Sequence, residues 1–436
     1  MKFKMILFAF FSLMASASSL QAWNPPPITR QTLPNGFQLY LLEDHELPLF
    51  EAQLYIRVGG AYEPASLTGL SDVMAGLLET GGTTTMKPQD FDALLDSKSI
   101  HLSGQSGKEL TNLSVSSLSS QWKEALQVLG DVALHPGWNE ERFHLGVSRY
   151  KEGLRRDEDE PETIVARAFR KAVYGEDHPW ARVPTLKSLD RIQIKNLKEF
   201  YSTWFQPDRM LLAVAGDFSS AEVKKWVTEW IGDKKSSPVV QPEWKLLPFE
   251  NKPFDKKIKK KLTQTYIKAG HLGLERFNKD EFAYALLQYI LGGEPFTSRL
   301  GADIRSDQGL AYTVFSDWDA TPARGLFSIY VQTRVDATDT VLKKVRGHLE
   351  RLSTQADVTP EELGFAQEAL INKYIFGFDS PFKVVFFQAK YDLLGFPRDY
   401  LKKYPVNIQA VTLEQVRAVA KKYIQPDGLK TVVVGP

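Results

Sequence analysis

At 436 residues the chain is too long for one ordinary hydrophobic core, and domain sizes of roughly 100 to 200 residues lead us to expect two domains. Hydrophobic residues at 43% and charged residues at 25% are an ordinary globular balance, which excludes wholesale disorder. The net charge of +1 gives no overall field to attract nucleic acid, and zero cysteines exclude a disulfide framework and a lipid-bearing cysteine.

The first 22 residues read as a secretory signal peptide. Lys2 and Lys4 form a basic start, Met5 to Ala15 an apolar stretch, and Leu20-Gln21-Ala22 ends on a small residue suited to cleavage. The apolar run is shorter than the ~20 residues needed to span a bilayer, so we expect an exported, periplasmic chain, soluble after cleavage near Ala22, with no stable membrane insertion. Strands follow at Gly36 to Leu42 and Glu51 to Val58, the second alternating Ala52, Leu54, Ile56 and Val58. Helical spacing then covers Leu70 to Glu79, Pro88 to Ser97 and Gln121 to Leu134.

Residues 192–217 and 411–435 share one order of signals. Apolar positions at helical spacing (Leu197, Phe200, Tyr201; Val416, Val419, Tyr423) lead into Gln-Pro-Asp and then an apolar, β-branched run. Proline stops the helix and aspartate suits the turn, so each unit is helix, turn and buried strand, the mark of a duplication. Between the copies, 232–256 carries Ser236, Ser237 and four prolines and reads as a linker. The basic run Lys256 to Lys261 reads as a solvated strand edge. A strand near Leu262 to Ala269 and a helix over Asp280 to Leu291 open the second half. The expected fold is therefore α+β, with homologous domains at 23–231 and 257–436, each a mostly antiparallel sheet with helices packed on one face.

The segment Gly59-Gly60-Ala61-Tyr62-Glu63-Pro64, then Thr68-Gly69-Leu70-Ser71-Asp72-Val73-Met74-Ala75-Gly76, and on to Gly81-Gly82-Thr83 resembles the pitrilysin/insulinase zinc peptidases, which include mitochondrial processing peptidase. Active members carry H-x-x-E-H on the equivalent helix: two imidazoles one turn apart hold zinc and the glutamate polarises water. Here those places hold Asp72, Ala75 and Gly76, and Glu152 falls near the third-ligand position. One or two carboxylates without histidine make a poor zinc site, so no metal is expected in this chain. Of the seven histidines no two sit three or four apart, and His45-Glu46 fails the H-E-x-x-H pattern at Leu49. No G-x-S-x-G or phosphate-binding glycine loop opens another enzyme class.

In the second half, Gly292-Gly293, Thr297-Ser298-Arg299-Leu300 and Ile304-Arg305-Ser306-Asp307-Gln308-Gly309-Leu310-Ala311-Tyr312 resemble the family's second-domain signature. Thr297 or Ser298 can cap a helix with Leu300 and Ile304 facing the core, Gly309 can end it in a left-handed conformation, and a strand starts at Leu310. The resemblance implies that Arg305 and Tyr312 grip a substrate carbonyl and its developing oxyanion across from a zinc. It therefore implies a non-catalytic subunit that binds unfolded peptide and serves a zinc-bearing family member in a heterodimer. The alternatives are a peptide-binding or structural scaffold of the same fold without catalytic role, and an independent hydrolase with an unrecognised site, which nothing in the sequence supports. The purely structural alternative for the two residues themselves is Arg305 in a salt bridge at a helix end and Tyr312 as half-buried core.

Overall fold

The computed structural model describes residues 24–249 and 252–436. The signal peptide expected over 1–22 lies outside these residues, as do two positions of the 232–256 segment. The first half builds a sheet from β1 (Thr29–Thr32), β2 (Gln38–Glu43), β3 (Leu49–Ile56), β4 (His101–Ser106), β5 (Thr111–Leu118) and β6 (Met210–Gly216). The second half builds one from β7 (Phe254–Lys259), β8 (Gln264–Leu272), β9 (Ala311–Trp318), β10 (Leu326–Arg334) and β11 (Lys430–Gly435).

Strand order makes the duplication explicit. The first sheet runs β1-β2-β6-β3-β5-β4 and the second β7-β11-β8-β10-β9, so the second repeats the first strand for strand with only β1 unmatched. In each sheet one neighbouring pair is parallel, β2 with β6 and β7 with β11, and the rest are antiparallel. The two Gln-Pro-Asp units occupy matching places. Helices Ile194–Trp204 and Leu413–Tyr423 deliver the chain into β6 and β11, the interior strands beside the parallel partner. The Gln425 N–H donates to Nε2 of fully buried His271, whose Nδ1 lies 2.8 Å from the Leu272 carbonyl. Burial pushes that imidazole down to about 4, so it is a satisfied neutral core group. β7, carrying Lys256, Lys257 and Lys259, is an exposed edge strand.

Helices of its own half pack on one face of each sheet. The first core joins that face to Leu70–Thr80, Trp122–Leu134, Glu140–Asp157, Ile194–Trp204 and Ser220–Ile231; the second uses Glu281–Gly292, Thr338–Thr354, Pro360–Phe376 and Leu413–Tyr423. The opposite face of each sheet is closed by a helix from the other half. Pro161–Tyr174 lays Val165 and Phe169 on β8 and β11 of the second sheet, and Pro381–Leu393 lays Val385 and Ala389 on β2, β3 and β6 of the first. Both helices begin with proline at the first turn. This exchange explains why β6 is buried along its whole length and reads as an unbroken apolar run, since both of its faces are covered. A bidentate Arg276–Glu109 pair also ties the halves. Among the described residues no helix is long and apolar enough to cross a membrane.

Candidate functional site

The Leu70–Thr80 helix begins at Gly69, whose φ of 102° is left-handed. Its free N–H groups are met by Glu63, only 5% exposed, which accepts from Gly69 N at 2.8 Å and from Ser71 N and Oγ at 2.6 Å each. Burial raises the Glu63 carboxyl and these bonds pull against it. Asp72 and Gly76, one turn apart, share the face turned away from the core. Asp72 Oδ2 accepts from the Tyr150 hydroxyl at 2.8 Å. A Cβ on Gly76 would meet no atom within 4 Å, so the place of the second imidazole is open space.

Ala75 is different: it is 1% exposed. The helix rests on β4 at Gly104, where a Cβ would lie 2.3 Å from the Ala75 carbonyl oxygen, and the Gly104 N–H donates to Glu79 Oε2 at 2.9 Å. Glu152 does not join the site. It is exposed, pairs with Arg155 at 3.3 Å on its own helix, and the side chain of that helix that reaches Asp72 is Tyr150. The donor set therefore does not fit zinc, since it offers one carboxylate already hydrogen-bonded to a phenol and no imidazole. Among the described residues no three His, Cys, Asp or Glu side chains are placed to hold a metal.

Burial raises the Asp72 carboxyl above its ordinary value, with the Tyr150 hydrogen bond and Lys108 pulling down. A raised carboxyl means that the fold disfavours the charge: the penalty is absent below the unfolded value and fully present above the folded one. Asp72→Asn should therefore raise the melting temperature at pH 7, and the gain should shrink as pH falls through the aspartate range. Thermal melts across that range check it; a loss of stability at pH 7 would show that the charge itself holds the helix in place.

Asp72 sits in a cavity of about 750 Å³ between the halves. The first half contributes Glu63, Lys108, Glu162, Arg167, Arg170 and Arg182, and the second Lys268, Thr313, Phe315 and Tyr330. Sequence patterns gave no warning of this cluster, because its members come from separate elements with no fixed spacing. The one local signal is Arg167 and Arg170, three apart on a helix whose other face carries Val165 and Phe169.

Arg305 and Tyr312 lie elsewhere, and neither lines that cavity. Ser298 Oγ accepts from Gly301 N at 3.3 Å, Leu300 and Ile304 are fully buried, and the turn Gly301–Ser306 is π-helical, a geometry common at functional positions. Gly309 follows with φ of 56°. The Arg305 guanidinium lies over the Phe296 ring at 4.3 Å, and among the described residues it makes no ion pair. Thr313 faces Gln332 and Ala311 faces Thr333, which leaves Tyr312 as the extra residue of a β-bulge. It is 69% exposed, and its hydroxyl has no hydrogen-bond partner among the described residues. A helix-end salt bridge for Arg305 and a half-buried Tyr312 are thus not what this geometry contains.

Two like halves, a zinc-motif helix without histidine ligands, and an arginine and an exposed tyrosine with no ion pair or hydrogen bond of their own among the described residues define a peptidase-type α+β protein whose metal positions are altered. A family model described as Insulinase (Peptidase family M16) matches residues 41–179, and one described as Peptidase M16 inactive domain matches 191–370. The chain belongs to peptidase family M16, the insulinase family. It is 24% identical over 405 residues to an uncharacterized zinc protease, YmxG, of Bacillus subtilis, covering 92% of this chain and 96% of that protein. It is 22% identical over 439 residues to a non-peptidase homolog, YmxG, of Helicobacter pylori, covering 99% and 97%. A solved peptidase M16 inactive domain from Pseudomonas fluorescens shares the fold at a TM-score of 0.85 and 23% identity, covering 94% and 98%, and a protease from Helicobacter pylori at 0.84 and 19%, covering 95% and 100%.

Proposed function

We propose that this chain is the non-catalytic subunit of an exported zinc-dependent peptidase complex, holding unfolded peptide and supplying Arg305 and Tyr312 to a zinc-bearing partner of the same family. The observation that carries the proposal is one combination: metal positions filled by Asp72, Ala75 and Gly76, together with a partly buried arginine and an exposed tyrosine, Arg305 and Tyr312, whose side chains donate no hydrogen bond among the described residues. A guanidinium and a phenol are the groups that stabilise a developing oxyanion, and here they lack the metal and base needed for a complete site. An extended peptide has two edge strands near the cavity to pair with, β4 and β9, and pairing through backbone hydrogen bonds tolerates many sequences.

Co-purification from the native host followed by metal analysis tests the proposal. The complex should contain zinc in proportion to the partner, while this chain alone should hold well under one zinc and hydrolyse no peptide. Stoichiometric zinc in the isolated chain, lost in Asp72→Ala, would overturn it. Recovery of the chain with no family member attached would leave the scaffold reading in its place.

A further inference from the structure

We infer that the cavity over Asp72 is a carboxylate subsite, taking an acidic side chain or the terminal carboxylate of a bound peptide; the inference rests on the proposed peptide-holding role and adds its chemical preference. Most of the charges in the cavity are already met within the chain. Each acid is satisfied within the chain: Glu63 by the helix N-terminus, Asp72 by Tyr150, and Glu162 by the Tyr330 hydroxyl at 2.9 Å. Three of the cations are also engaged. Lys108 donates to the carbonyls of Pro179 and Arg182 at 3.1 and 2.7 Å, Arg182 to those of Glu63 and Ala61, and Arg167 to Asp157 at 2.5 Å.

Arg170 and Lys268 remain. Neither makes a side-chain hydrogen bond or ion pair among the described residues; Asp319 acts on both and Asp317 on Lys268 only through space, and Lys268 lies 5.9 Å from the Phe169 ring. Burying a cation without a partner costs free energy, and a carboxylate bridging the two would offset that cost with charge-assisted hydrogen bonds. Burial pushes the Lys108 ammonium down to about 8, with Glu63 and Asp72 opposing and Arg170 and Arg182 adding to the shift, and burial lowers Lys268 as well.

The duplication supplies an internal control. A second cavity, of about 1100 Å³, lies under the exchanged Pro381–Leu393 helix against the first sheet. Counting from Pro161 and Pro381, Ala166 and Arg167 correspond to Phe386 and Phe387, and Arg170 to Lys390. Lys268, paired with Val432 and Tyr330, corresponds to Gln53, paired with Ala213 and Ser114. Gln53 is neutral and donates to Glu51 at 2.7 Å, so the fold itself does not require a cation at that place. At the matched places the first-sheet cavity carries Phe386, Phe387 and Gln53 with one cation, Lys390, where the cavity over Asp72 carries Ala166, Arg167 and Lys268 with Arg170.

The test uses the full chain and amidated, unstructured peptides that differ only in a central Glu or Gln, with a third peptide that has a free C-terminus and no acidic side chain. Calorimetry should show the Glu peptide, the free-terminus peptide, or both binding about ten- to a hundredfold tighter than the Gln peptide, as expected for charge-assisted bonds, and weakening with salt. Which of the two gains affinity names the source of the carboxylate. Arg170→Gln or Lys268→Gln should bring that affinity down to the Gln-peptide level, while Lys390→Gln in the second cavity leaves it unchanged, with thermal melts showing all three folded. Equal binding of all peptides, or no effect of Lys268→Gln, overturns the carboxylate subsite and leaves the peptide-holding role standing. No binding of any peptide overturns both, and the contribution of Arg305 and Tyr312 is then judged separately from turnover of the complex.

Discussion

Replacing Arg305 by alanine or Tyr312 by phenylalanine is expected to cut turnover of the proposed peptidase complex about 10²-fold or more while the complex still assembles, the loss typical of removing one oxyanion donor. The structure makes this a clean experiment. Tyr312→Phe removes a hydroxyl that bonds to nothing among the described residues, and the ring it leaves already stands in solvent on a bulge. Arg305→Ala removes a stack on Phe296, itself an exposed residue, and breaks no ion pair among the described residues. Neither change should move the melting temperature by more than a degree or so, since surface substitutions away from buried contacts usually lie within about 0.5 kcal/mol. Steady-state assays with gel filtration of the complex would check both halves of the expectation. Full activity in both variants would make the residues structural and remove the catalytic contribution.

Phe169→Ala should destabilise the whole chain by about 3–5 kcal/mol, the usual cost of removing a fully buried phenylalanine. Phe169 belongs to the first half, yet the surface it covers is the second sheet, in a cluster with Leu272, Leu326, Val432 and Val434. Denaturant unfolding should show one transition shifted as a unit, by fluorescence and by circular dichroism alike. Two separated transitions, with only one of them moved, would mean that the halves fold independently and that the exchanged helices are trimming rather than structure.

Much of the fold was legible because it was written twice. The Gln-Pro-Asp units identified β6 and β11 and their preceding helices, and the second-half motif placed Ser298, Ile304 and Gly309 where the structure has them. Pro161–Tyr174 and Pro381–Leu393 were not read, because a helix that covers another domain's sheet has an apolar stripe like any other, and periodicity does not say which surface it will meet. The same reason hid the cavity. Asp72, Ala75 and Gly76 could be found by the resemblance of one contiguous segment to the family's zinc-motif helix, but Arg170 and Lys268 meet only through the packing of one half on the other. Glu152 shows the opposite error: the family resemblance put it near the third-ligand position, while the helix phase turns it to solvent and brings Tyr150 to Asp72.

The order in which strands join each sheet has a consequence for how the chain reaches its folded state. β11 comes last in sequence among the second sheet's strands, yet it lies inside that sheet between β7 and β8, and the helix carrying Phe169 packs on it. A chain emerging from a ribosome or a translocation channel thus exposes Val165 and Phe169 long before their cover exists, and closes the second sheet only when residues 430–435 arrive. Such distant contacts carry a large loop-closure cost, which slows folding and lengthens the interval in which apolar surface is open to aggregation or to chaperones. For the exported chain proposed above, slow closure keeps it threadable. Cutting the sequence between the exchanged helices would strand an uncovered sheet face on each fragment.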